Sequence, residues 1–157
     1  MKFTLIKDIK KDKAMSLILT GFLSFILLYI ISDIIVKYFG FGISVDALKS
    51  TLFGNEDEFI DPLTKASFLE FWHIEIFFMM MILLTLSAVF IRLANKSRVL
   101  VTNILMISSI TSLITIALTY FVSDMFIYIY VLTFFIWHLS AIYMILYSFW
   151  KLYARSI

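Results

Sequence analysis

Residues 67–92 read SFLEFWHIEIFFMMMILLTLSAVFIR, and the fold turns on how that stretch is read. Its ionisable residues, Glu70, His73 and Glu75, crowd into the first third. From Ile76 to Ile91 no charge interrupts the run, and Arg92 closes it. A helix crossing the ~30 Å hydrocarbon core of a bilayer needs about 20 predominantly apolar residues. This run is long enough, and its polar head and basic tail suit the two interfaces.

Working outward, three further runs meet the same test. The spans are predicted at residues 15–39, 67–93, 99–122 and 125–150. A basic segment (1–14) precedes them, a loop (40–66) separates the first two, and a tail (151–157) follows. Composition agrees: 62% of the 157 residues are hydrophobic, 15% are charged, and the mean hydropathy is +1.02. Soluble domains carry about 25% charged residues. The expected fold is an all-α, four-helix up-down membrane bundle forming a single domain. The first run is too long for the apolar core of a secretory signal, and Ile34-Ile35-Val36-Lys37 offers no small-residue cleavage site.

Charge sets the expected orientation. Lys2, Lys7, Lys10, Lys11 and Lys13 precede the first span. Arg92, Lys96 and Arg98 lie at the second link, and Lys151 and Arg155 follow the last span. Basic residues are retained on the cytoplasmic side, so both termini are expected there, in a bacterial inner membrane. The absence of Cys excludes disulfide exchange, thiolate catalysis and Cys-ligated metal centres. No basic cluster interleaves with aromatics in a soluble segment, so nucleic acid is not an expected partner.

In the loop, Ser44 is placed to cap a short helix over Val45–Phe53 that Gly54 ends. Its apolar face of Val45, Leu48 and Leu52 is expected to lie along the membrane surface. The acidic run Asn55-Glu56-Asp57-Glu58 that follows is a candidate dock for a basic external protein, or simply a solvated turn.

Ionisable residues within spans are costly and therefore candidate functional groups. Glu70 and His73 share a helix face at i, i+3. Glu75 lies about 200° round from His73 and addresses a different neighbour. Asp33 and Lys37, i and i+4 on the first span, and Asp124 at the head of the fourth, are expected at the same outer level as a polar cluster. Glu70, His73 and Glu75 form a candidate metal site. His73 with His138 is a candidate pair for a haem b, although along their helices they differ in depth by about 12 Å. His138 on its own is either a proton relay or a neutral imidazole bonded to Ser108, Ser109 or Ser112. Ser108, Ser112, Thr115 and Thr119 read as small-residue packing positions that let helices approach closely.

Gly54-Asn-Glu-Asp-Glu58, Leu69-Glu70-x-x-His73-x-Glu75-x-Phe77 and Met79 resemble a family of small four-span bacterial membrane proteins without an assigned function. The family pattern has a second His where this chain has Glu75, and another near Ala88. The resemblance implies that the Glu70 and His73 positions matter, and that a metal or haem role suits relatives; the two departures limit its transfer. The favoured reading is a non-catalytic inner-membrane subunit or accessory protein, joined to itself or to a larger membrane assembly. The rival is a metal- or haem-binding redox protein centred on Glu70, His73 and Glu75. A proton-coupled transport subunit comes third, because no span is broken by Gly or Pro and no inverted repeat is visible.

Overall fold

The computed structural model describes residues 13–94 and 98–154; most of the basic N-terminal segment, Lys96 and Arg155 lie outside the described residues. Four long helices carry the chain: α1 (Lys13–Gly40), α3 (Lys65–Leu93), α4 (Arg98–Phe121) and α5 (Ile127–Tyr153). All four are long and apolar enough to cross a membrane. The short helix α2 (Val45–Phe53) lies in the loop between the first two. The start of α1, the end of α3, the start of α4 and the end of α5 fall at one end, the terminal face. Residues 41–64 and 122–126 fall at the other, the loop face.

α4 and α5 share the most extensive contact, as expected of neighbours joined by a short turn. α3 packs on both, and α1 completes the bundle against α3 and α5. Ser108, Ser112, Thr115 and Thr119 are buried along α4. The hydroxyls of Ser108 and Thr115 donate to the carbonyls of Ile104 and Thr111, four residues back, at 2.6 and 2.8 Å. Ser108 and Thr115 thus satisfy their hydroxyls within their own helix, and all four small side chains leave room for close packing.

The buried apolar residues form two clusters. The larger fills the terminal-face half around Leu23, Ile30, Leu86, Phe90, Met144 and Ile145. The smaller, at the loop face, joins Leu48 and Leu52 of α2 to Phe68, Ile116, Ile127 and Phe134. α2 therefore turns its apolar face onto the bundle. The expected placement along the lipid surface is corrected, because Leu48 and Leu52 are each 1% exposed. Close protein packing at the head of α5 offers those side chains more contact than the headgroup layer would.

Local chemistry fixes α2. The Ser44 hydroxyl accepts from the Ala47 amide at 3.2 Å, and the Thr51 hydroxyl donates to the Phe41 carbonyl at 3.1 Å. Gly42, at φ +78°, makes the turn out of α1; a Cβ there would stand 2.3 Å from that of Ala47. Beyond α2, Glu56–Glu58 form an exposed 3-10 turn headed by Asn55, whose side chain accepts from the Asp57 amide at 3.1 Å.

Candidate functional site

Between the two apolar clusters sits a charged group drawn from three helices. α1 supplies Asp33 and Lys37, one turn apart. α3 supplies Glu75, and α5 supplies His138. The Lys37 ammonium donates to Asp33 Oδ2 at 3.0 Å and also to Glu75 Oε1. His138 Nε2 stands 3.0 Å from the same Asp33 oxygen, and its Nδ1 stands 2.8 Å from the Phe134 carbonyl. The Lys37 and His138 side chains are 5% and 3% exposed, and those of Asp33 and Glu75 are 9% and 12%.

Each helix fixes its contribution differently. On α1 the i, i+4 spacing lets the ammonium fold back onto the carboxylate one turn earlier. On α5 the Phe134 carbonyl, one turn before His138, holds the ring by Nδ1. The rings of Trp137 and Phe134 flank the imidazole, with centroids 3.7 and 4.0 Å away. Lys37 also lies 5.3 Å from the centre of the Phe134 ring, within cation–π range.

Hydrogen-bond chemistry counts the protons. A carbonyl oxygen only accepts, so the Nδ1–Phe134 contact is a hydrogen bond when Nδ1 carries the hydrogen. Nε2 faces a carboxylate oxygen, and a bond there needs a proton between them. It sits either on Nε2, giving imidazolium and carboxylate, or on Asp33, giving neutral imidazole and carboxylic acid. Both forms contain one proton beyond those of a neutral imidazole and an ionised Asp33. With Lys37 positive and Glu75 negative, the cluster is then electrically neutral. Without that proton it carries one net negative charge, and the single ring hydrogen serves either Asp33 or the Phe134 carbonyl, leaving a lone pair toward the other. Unpaired buried charge costs several kcal/mol, and only the form with the extra proton lets both ring nitrogens donate at once.

The remaining candidate residues lie elsewhere. Glu70 and His73 are both exposed on α3, while Glu75, a little over one turn further on, reaches inward to Lys37. Among the described residues, no group of three His, Asp or Glu side chains is placed to hold a metal ion. The Lys37 ammonium already occupies the cation position between Asp33 and Glu75. His73 and His138 do not face one another, and both ring nitrogens of His138 are engaged by oxygens. Asp124 stands apart from Asp33 and Lys37: it pairs with Lys49 of α2 at 2.7 Å. That hydrogen bond holds the Lys49 ammonium above the usual lysine range.

His138 takes none of its three expected hydroxyl partners on α4, since its ring nitrogens meet Asp33 and the Phe134 carbonyl instead; the Ser109 hydroxyl donates to the Leu105 carbonyl at 2.8 Å. Two aromatics near the loop face also make partly buried hydrogen bonds. Trp72 Nε1 donates to the Leu113 carbonyl at 3.0 Å. The Tyr120 hydroxyl donates to the Leu63 carbonyl at 2.8 Å.

The Asp33–His138 bond was the juxtaposition that sequence reading missed. The available signal was that His138 is a costly side chain in mid-span on a helix, α5, that carries no carboxylate of its own.

No curated protein and no solved structure matches the chain. Residues 42–156, from the end of α1 through α5, match a family described as a transmembrane helical domain. That match takes in Glu75 and His138, while Asp33 and Lys37 lie before it. It covers well over half of the chain, which therefore belongs to this family of transmembrane helical domains, Aq_1264_TM.

Proposed function

We propose that the protein is a proton-binding membrane subunit, in which one exchangeable proton on the Asp33–His138 pair controls how α1 docks on the rest of the bundle. A single observation carries this reading: both ring nitrogens of a buried histidine face oxygen acceptors. The pair is the joint between α1 and α5, and Lys37–Glu75 is the joint between α1 and α3.

The coupling follows from the charge count. Loaded, the pair forms a charge-assisted hydrogen bond across two helices. Unloaded, one ring hydrogen must serve either Asp33 or the Phe134 carbonyl, so the contact of α1 to α5 weakens while the one to α3 is kept. Protonation therefore tightens α1, and rising pH loosens it. The other titratable side chains near the pair are Tyr29 on α1 and Tyr130 on α5. A subunit of this kind reports acidity to whatever contacts α1, which suits an accessory role in a larger membrane assembly. The metal and haem readings draw no support from Glu70 and His73, which face outward.

The chain has two histidines, so His73→Gln leaves His138 as the sole imidazole. Nitrogen NMR of that variant in nanodiscs should show both ring nitrogens engaged at acid pH, with loss of one proton as pH rises while the helices persist. The carboxyl infrared band of Asp33, identified with Asp33→Asn, should change over the same interval. A ring that keeps one protonation state throughout, with an unchanging Asp33 band, would sink the proposal and leave the cluster as a fixed ionic clasp.

A further inference from the structure

We infer that this proton enters and leaves only through the loop face, by way of a water-sized cavity that α2 covers. The inference rests on the proton-binding reading and adds its sidedness: the site samples the compartment facing residues 41–64, not the one facing the termini.

Two observations on opposite sides of the cluster carry it. Toward the loop face, a cavity of about 10 Å³ lies against Lys37, bounded by Gly42, Ile43, Leu48, Tyr130 and Phe134. That is about the room one water needs. The cavity has polar material to hold one, because Lys37 has three N–H donors and Asp33 and Glu75 take two of them. Tyr130 brings a phenol to the same lining. One water there extends the hydrogen-bonded cluster a step toward the surface, leaving only α2 in between.

Toward the terminal face the surroundings are dry. Ile26, Ile30, Met79, Leu86, Ala141 and Ile145 are each no more than 6% exposed. Ile26 and Ile145 each lie seven residues from the cluster along their own helices, and Leu86 lies eleven from Glu75. At ~1.5 Å per residue, this is a layer about 10–16 Å deep. The buried hydroxyls of α3 and α5 on that side, Ser87 and Ser148, lie twelve residues beyond Glu75 and ten beyond His138, so an apolar layer, which stays unhydrated, separates them from the cluster.

The cover is a local structure with identifiable fastenings. Leu48 is 1% exposed and forms part of the cavity wall. The Gly42 turn fixes where the first residues of α2 sit, and the Lys49–Asp124 pair ties α2 to the head of α5. Exchange then requires α2 to lift or the small cavity to breathe. Openings of such short surface elements are the low-energy fluctuations of a fold.

The test uses the full-length His73→Gln protein in liposomes sorted to one orientation, with infrared detection of the Asp33 carboxyl after a pH jump. The probe is the proton itself, delivered by a membrane-impermeant buffer on one side at a time. A jump on the loop face should load or unload the pair promptly. A jump on the terminal face should act only at the rate of leakage across the lipid. Leu48→Ala should speed loop-face exchange roughly tenfold or more by weakening the cover, leaving the number of protons bound unchanged. Gly42→Ala, whose new Cβ displaces the start of α2, should act in the same direction and serves if Leu48→Ala does not fold.

Equal rates from both faces would overturn the sidedness while the proton-binding reading stood. Exchange from the loop face that neither α2 variant accelerates would overturn the role given to α2. A pair that responds to neither jump, even after long equilibration, would remove the underlying reading instead.

Discussion

Glu70 and Glu75 sit five residues apart on α3, and His73 and His138 each follow a tryptophan, yet the members of each pair have opposite fates. Glu70 and His73 are exposed, while Glu75 and His138 are locked into a buried charged cluster. Five residues turn a helix by about 140° relative to the starting side chain. Glu70 is thereby carried outward to the loop-face interface, where its charge stays solvated. Glu75 is carried inward, where only Lys37 makes its charge tolerable. Residue type and rough depth do not separate these groups; rotation about the helix axis does. In a membrane protein that rotation decides whether an ionisable side chain is an ordinary interfacial residue or a committed partner.

The contrast is most severely tested by taking the cation from the buried side. Lys37→Met leaves Glu75 without a counter-charge and Asp33 short of one, and should cost about 3–5 kcal/mol of stability. Lys49→Met, which breaks the solvent-exposed pair with Asp124, should leave unfolding in micelles unchanged. If both substitutions behave alike, the distinction between the two regions is wrong. Lys37→Met combined with Glu75→Met removes both charges of one pair and should recover most of the loss.

A somewhat smaller difference is expected between the carboxylates. Glu75→Ala strands Lys37 on its α3 side and should cost about 2–3 kcal/mol. Glu70→Ala should fall within about 0.5 kcal/mol of the parent. Denaturant titration of the two variants side by side measures the gap, and parity would mean that Glu75 contributes no specific interaction.

The histidines sharpen the comparison through pH. If the Asp33–His138 pair binds the proposed proton in the folded protein alone, the stabilisation it brings should be present at acid pH and be lost on raising pH. The His73→Gln protein should retain that slope, because His73 is exposed and outside the cluster. In His138→Gln the slope should be absent. Melting curves taken across pH decide this, and a slope that survives in His138→Gln would move the proton elsewhere.

The mildest effect concerns the aromatics. Trp72→Phe deletes the bond to the Leu113 carbonyl and should cost about 1 kcal/mol. Trp150→Phe, at a largely exposed position, should be silent in the same thermal assay.

Much of the architecture was legible in the residues. Run length gave four spans, because the thickness of the hydrocarbon core sets a minimum that few soluble helices meet in such company. Ser44 and Gly54 marked the ends of α2, because capping is a local matter of one hydroxyl and one positive φ. The i, i+4 spacing of Asp33 and Lys37 made their contact readable for the same local reason. Depth alone grouped Asp124 with them. Depth ignores direction, and Asp124 was instead met by Lys49 as α2 folded onto the bundle.

By itself, then, the sequence determined what is local or one-dimensional: the number of spans, the capped loop helix and the acid–base pair within α1. Only the tertiary structure decided that Glu75 meets Lys37 and that His138 meets Asp33. The physical reason lies in the composition of the helices. A soluble helix advertises its buried side by a polar opposite face, but a span that is apolar all round carries little such signal. Its rotation is fixed by packing against its neighbours. The partners of a buried charge therefore emerge only once the helices have been set side by side.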